Sequence, residues 1–232
     1  MALRVFGFML LIAAMWPISG LADIFLHQPH DFRDRSPSEQ NTLVSSARTA
    51  DDFATVGFHF FLNSITFQMV VSANNIPSNY AVDLFLSSAQ GSGQLMFTLD
   101  HVLGMSDRGV WNGDPELRLI EVVVDGRGEH TPEGVYWLSP YAIGNGAGRA
   151  WWGTAGDGQV NGSEGYFISD HFGVPQWTPI SQSGILNFPT DFAFTIDATF
   201  PAPGVLPLLV LGLLGKNRRR VETRFHRASQ RA

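Results

Sequence analysis

The sequence predicts an all-β protein, a single β-sandwich of jelly-roll or Greek-key type. Three observations carry that reading. Between residues 23 and 200 no stretch shows sustained helical periodicity with caps. Short runs dense in Val, Ile and Phe are instead punctuated by turn signals about every ten residues, as in sandwiches. The composition, with 24 Gly, 13 Pro and 12% aromatic residues, suits many strands joined by tight turns.

The elements follow in order. Residues 23–48 are polar and mixed and read as an N-terminal arm or edge strand, ahead of a sandwich domain over 49–200. Residues 56–61 and 64–71 are strands with partial alternation, turning at Asn63-Ser64. The run 74–79, with Asn74, Asn75, Pro77 and Asn79, is a loop. Residues 80–86 alternate cleanly, Tyr80, Val82, Leu84 and Leu86 against Ala81, Asp83 and Phe85. Gly91-Ser92-Gly93 turns the chain, and 94–103 form the next strand.

Asn112-Gly113-Asp114-Pro115 is a strong turn. The strand after it, 117–124, is apolar on both faces, which suits a central position. Asp125-Gly126-Arg127-Gly128 predicts a hairpin, because Asp-Gly favours two-residue turns. A short aromatic strand covers 134–138, glycine loops cover 144–148 and 157–165, and 166–169, 177–180 and 191–200 are closing strands.

Both ends read as address segments. Arg4, the apolar run 5–16, Pro17 and the small residues before Ala22 have the layout of a secretory signal peptide over 1–22. At the other end, residues 201–232 hold a proline hinge, a short hydrophobic helix over 204–215 and a basic tail. A dozen helical residues cross only about 18 Å, short of a ~30 Å hydrocarbon core. Such a segment spans only if the bilayer thins or the arginines snorkel. Pro201-Ala202-Pro203, the apolar run and then Lys216, Arg218, Arg219 and Arg220 resemble a PEP-CTERM sorting signal. The resemblance implies export, membrane association through the C-terminal segment, and processing by an exosortase-like enzyme near the proline motif. It implies a location at the outer face of the membrane, in the cell envelope or outside the cell. Ala202 stands where that motif carries glutamate, and twelve residues follow Arg220. Upstream, Ala50-Asp51-Asp52-Phe53 and Trp151-Trp152 resemble secreted β-sandwich domains that precede such signals, which implies a fold and no activity.

Charge and cysteine content exclude several functions. Residues 23–200 carry seven basic residues, no lysine, and twenty acidic residues, a net charge of about −13 against −6 for the whole chain. Nucleic-acid binding needs clustered Lys and Arg and is excluded. With no cysteine there is no disulfide, no thiol catalysis and no cysteine-bound metal, so burial alone holds the fold.

Three candidate chemistries remain. Asp157, Gln159, Asn161 and Glu164 place oxygen ligands in the pattern that opens a calcium loop, with Gly162 at the sixth position, although Ile168 stands where an EF-hand has glutamate. Trp137, Trp151 and Trp152 could form an aromatic platform for extracellular polysaccharide. Adjacent strand residues face opposite ways, so only one of Trp151 and Trp152 can serve such a platform. A polysaccharide hydrolase needs two convergent carboxylates. Glu116, Glu121, Glu129, Glu133 and Glu164 are available, Glu121 being mid-strand, but spacing selects no pair. There is no Gly-x-Ser-x-Gly elbow, Walker loop or His-Glu-x-x-His helix. Asn161-Gly162-Ser163 matches an N-glycosylation acceptor, incidental in a bacterial setting. The expectation is an exported, non-catalytic sandwich of the envelope or extracellular matrix, with carbohydrate binding and then hydrolysis as alternatives.

Overall fold

A computed structural model describes residues 23–55, 57–87, 93–144, 148–155, 160 and 162–201. Strands make up most of the described residues. They are β1 (Asp23–Gln28), β2 (His30–Pro37), β3 (Glu39–Gln40), β4 (Arg48–Thr55), β5 (Phe60–Ser72), β6 (Asn79–Leu86), β7 (Gln94–Leu99), β8 (Val102–Trp111) and β9 (Asp114–Thr131). Then come β10 (Gly134–Ile143), β11 (Ala150–Ala155), β12 (Tyr166–Ser169), β13 (Val174–Pro179), β14 (Asp191–Phe192) and β15 (Phe194–Thr199). A single 3-10 turn, Ile180–Gln182, is the only helical element among the described residues.

These strands make two sheets packed face to face. The first runs β1-β15-β5-β11-β14, with β2 on β11 and β9 and β8 extending from β5. The second runs β13-β12-β4-β10-β6-β7, with β3 on β10. Pairing is antiparallel except between β3 and β10. The core lies between them. From the first sheet come Ile65, Phe67, Met69, Ile120, Val122, Trp152, Phe192 and Phe194, and from the second Phe53, Val82, Leu84, Tyr136, Leu138 and Phe167. Their alternation along each strand is what divides the chain into inward and outward sets.

The Asn112-Gly113 turn forms as expected. It joins β8 to β9 as a two-residue loop with Trp111 opposite Asp114, and both residues have positive φ (48° and 76°), as a type I′ turn requires. Residues 117–124 are central, between β5 and β8.

Several expectations are corrected. Asn63-Ser64 is not a turn, and Asp125-Gly126 is not a hairpin. β5 and β9 run straight through both and face each other there, Leu62 opposite Glu129 and Ser64 opposite Asp125. Three residues of β9 thus loop out against one of β5, with Arg127 and Gly128 at φ 56° and 66°. The turn residues are used for a bulge within one long pair. Residues 94–103 are two strands, because Asp100-His101 carries the chain from the second sheet to the first. The strand begun at 134 continues to Ile143. The closing segment is split at Ala193, whose N–H bonds Gly153 O (2.9 Å). Residues 23–48 hold three strands joined into both sheets, with β1 at the edge beside β15.

The expected signal peptide with Ala22, and the segment carrying Ala202, Pro203, Arg218, Arg219 and Arg220, lie outside the described residues, as do Asp157, Gln159 and Asn161. Pro201 is exposed and outside regular structure. Among the described residues no helix is long and apolar enough to cross a membrane.

Candidate functional site

The outer face of the first sheet carries an alternating stack of arginine and tryptophan. Trp151 and Trp152 point opposite ways. Trp152 pairs with Met69 on the inner face, and Trp151 with Val70 on the outer one. On that outer side Arg149 lies 5.4 Å and Arg35 4.9 Å from the Trp151 ring centre, and Arg35 lies 4.2 Å from that of Trp111. Register explains the order. Arg149 stands just before β11, two positions ahead of Trp151, and Arg35 of β2 sits across from Gly153, two positions after it. Register therefore sets the two arginines on either side of Trp151 along the strand direction. Trp111 reaches the stack because the Asn112-Gly113 turn sets the end of β8 beside Leu117, Leu119 and Val70, a small second apolar cluster. Each guanidinium–indole contact contributes about 0.5–2 kcal/mol.

The two arginines are held differently. Arg149 Nε donates to Glu39 Oε1 (2.6 Å), and Glu39 Oε2 accepts from Ala150 N (2.8 Å) and Asn41 Nδ2 (2.9 Å). Glu39 is buried on the second sheet's strand β3, while Arg149 and Ala150 stand at the start of the first sheet's β11, so its carboxylate clasps the sheets together. Burial raises the Glu39 pKa, opposed by Arg149 and the Ala150 N–H. Arg35 has no such carboxylate. Its guanidinium makes no hydrogen bond or ion pair among the described residues, and its Nε is buried without a partner. Burial lowers its pKa, and the charges of Asp34 and Asp114 pull it back up. Arg35 and Trp151 line a groove of about 560 Å³ with Ser72, Asn74, Asp114 and Glu116.

A second polar group lies inside the sandwich. Asp51 shares the inner face with Leu138, its partner on β10. It accepts from Phe192 N (2.8 Å) and Asp52 N (3.0 Å). With its amide oriented to donate, Gln28 Nε2 reaches Phe192 O (2.8 Å) and Asp51 Oδ2 (3.1 Å). Burial, then the neighbouring Asp191 charge, raises the Asp51 pKa well above its usual value. Asp51 and Asp191 are both closed off from solvent, so this carboxylate pair is sealed in the core rather than set in a cleft. Asp52 faces the other way and accepts from Ser163 N (3.0 Å).

The residues singled out in the sequence are not brought together. Trp152 is fully buried, stacked on Phe192 (5.0 Å) and donating from Nε1 to Ala193 O (2.8 Å). Trp137 is 2% exposed on the outer side of the second sheet, edge-on to Tyr166 (5.0 Å). Neither ring offers a face to a sugar, so of the three tryptophans named as platform candidates Trp137 and Trp152 are packing residues and Trp151 alone stands on an outer face against arginine. Glu164 receives Ser181 N and Ser181 Oγ, both at 3.0 Å, at the 3-10 turn. Glu121 faces outward, bound by Arg108 (2.5 Å) and Gln68 (3.4 Å). Glu116, Glu129 and Glu133 are exposed, and among the described residues no cluster of three metal-ligating side chains occurs. Sequence reasoning missed Arg35, Trp111, Glu39, Asp51 and Asp191. An arginine in a strand between polar neighbours carries no mark of the two indoles that flank it.

No family model matches this chain, and no curated protein matches it.

Proposed function

We propose that this chain is an exported, non-catalytic β-sandwich of the cell envelope or extracellular matrix, sorted through its PEP-CTERM-like C-terminal signal. The observation that carries the reading is the fit between fold and ends. Strands dominate the described residues between Asp23 and Thr199, and in the sequence the two segments that read as export and sorting signals flank that span on either side. The acidic, lysine-free, cysteine-free composition of 23–200 suits a domain that works outside the cell by burial alone. Pairs such as β5–β9 and β4–β10, whose partners are distant in the chain, support a jelly-roll or Greek-key topology. The partners are then the export machinery, an exosortase-like processing enzyme and the membrane. Fractionation of cells producing a chain ended at Phe200 tests this. The truncated form should leave the envelope fraction, and its retention there would overturn the anchoring role.

A second reading, carbohydrate binding, is favoured by one observation. The groove beside Trp151 combines an indole, an unpaired guanidinium and several oxygen acceptors. Small-ligand pockets combine an aromatic wall with a few placed polar groups in this way, and sugar hydroxyls can both donate to and accept from such groups.

A further inference from the structure

Arg35 is set apart from the other arginines of residues 23–200. Arg108, Arg118, Arg127 and Arg149 are paired with Glu121, Asp107, Asp100 and Glu39. Arg48 donates to Glu39 O and Gln40 Oε1 and lies over Tyr141, and Arg33 also has a partner. Arg35 alone has its guanidinium clamped by two indole rings and its donors unspent. Contact with two indoles restricts the guanidinium, so part of the ordering cost of bidentate recognition is already met in the free protein. A carboxylate lying in that plane can take two parallel N–H donors.

The groove that Arg35 lines also holds Asp114 and Glu116, with Ser72 and Asn74. Two carboxylates beside one guanidinium repel a dianion such as phosphate. They accept hydrogen bonds from a ligand that brings one negative charge together with several hydroxyls. A volume of about 560 Å³ lies within the range of small-ligand pockets, about 300–1,000 Å³. The geometry points to a binding site for a uronate-bearing saccharide. Its carboxylate pairs with Arg35, and its ring hydroxyls donate to Asp114 and Glu116. The net charge of the domain disfavours long polyanions, so the occupant is a short saccharide or a chain end. This inference does not depend on where the chain is displayed.

Isothermal titration on the whole chain near physiological salt tests it. The probes are glucuronate- and galacturonate-terminated disaccharides and their neutral hexose counterparts, in which CH₂OH replaces the carboxylate. At least one acid should bind tenfold or more tightly than its neutral partner. Arg35→Gln should abolish that preference, and Arg108→Gln, on the same face but paired with Glu121, should keep it. Equal binding of acid and neutral sugar overturns the proposal while leaving carbohydrate binding standing. Binding of none of the four overturns both. Preference surviving in Arg35→Gln also overturns it, and if that variant does not fold, the acid-to-neutral comparison on the unaltered chain decides alone.

Discussion

Replacing Glu39 by alanine should unclasp the two sheets. The side chain of Glu39 is 2% exposed and that of Arg149 is 30% exposed, so the ion pair is well shielded on the carboxylate side. Truncation removes a charge-assisted bond to Arg149 (2.6 Å) and orphans the Ala150 N–H (2.8 Å) and one donor of Asn41 (2.9 Å). A hydrogen bond to a charged group contributes about 1.5–3 kcal/mol, and removing one partner of a buried pair costs about 3–5 kcal/mol. The expected loss is therefore about 3–5 kcal/mol. Glu39→Gln keeps the shape and one acceptor, and should cost about 1–3 kcal/mol. Urea unfolding followed by circular dichroism measures both, with an unchanged m-value as the check on the unfolded state. A double-mutant cycle with Arg149→Ala isolates the pair. A loss below about 1 kcal/mol for Glu39→Ala, the range of a surface pair, would refute the clasp.

Other outcomes follow from the same packing. Asp51 binds its proton more tightly folded than unfolded, because burial and the Asp191 charge raise its pKa. Its stabilising contribution is thus complete below about pH 4 and is lost as pH rises through the folded pKa, by at most about 1.4 kcal/mol per pH unit. Asp51→Asn removes this titration, so Tm of the variant minus that of the native chain should climb as pH rises above the ordinary carboxylate range toward the raised folded pKa. A flat or falling difference contradicts the assignment. Trp152→Ala should cost about 3–5 kcal/mol, as for a core aromatic, and Trp151→Ala markedly less, because only contacts with Arg35, Arg149 and the small outer cluster go. Equal losses in urea unfolding would show that the two faces of β11 are not divided as described.

Local chemistry was legible, and long-range use of it was not. Asn112-Gly113 sits between two runs that must pair, so its turn preference and the tertiary fold agree. Asp125-Gly126-Arg127-Gly128 has the same preference, but β5 offers a partner on both sides of it, and pairing continues past it as a bulge. Adjacent positions on a strand fixed that Trp151 and Trp152 part company, but which of them faces inward depends on Met69 and Phe192, far along the chain. The stack on Arg35 draws on β2, β8 and β11, and the Asp51–Asp191 pair joins β4 to β14 across 140 positions. Neither arrangement leaves a periodic trace in the sequence.

The pairing of β1 with β15 has a geometric consequence. Asp23 lies opposite Ala198, so the chain enters and leaves the sandwich side by side, where Thr199 meets Phe61. The groove with Arg35 lies at Ser72 and Leu117, the other end of the thirteen-residue β5, about 40 Å away. Residues 23 and 199 therefore both lie toward the Phe61 end of β5. The Arg35 groove lies at the opposite end of that strand.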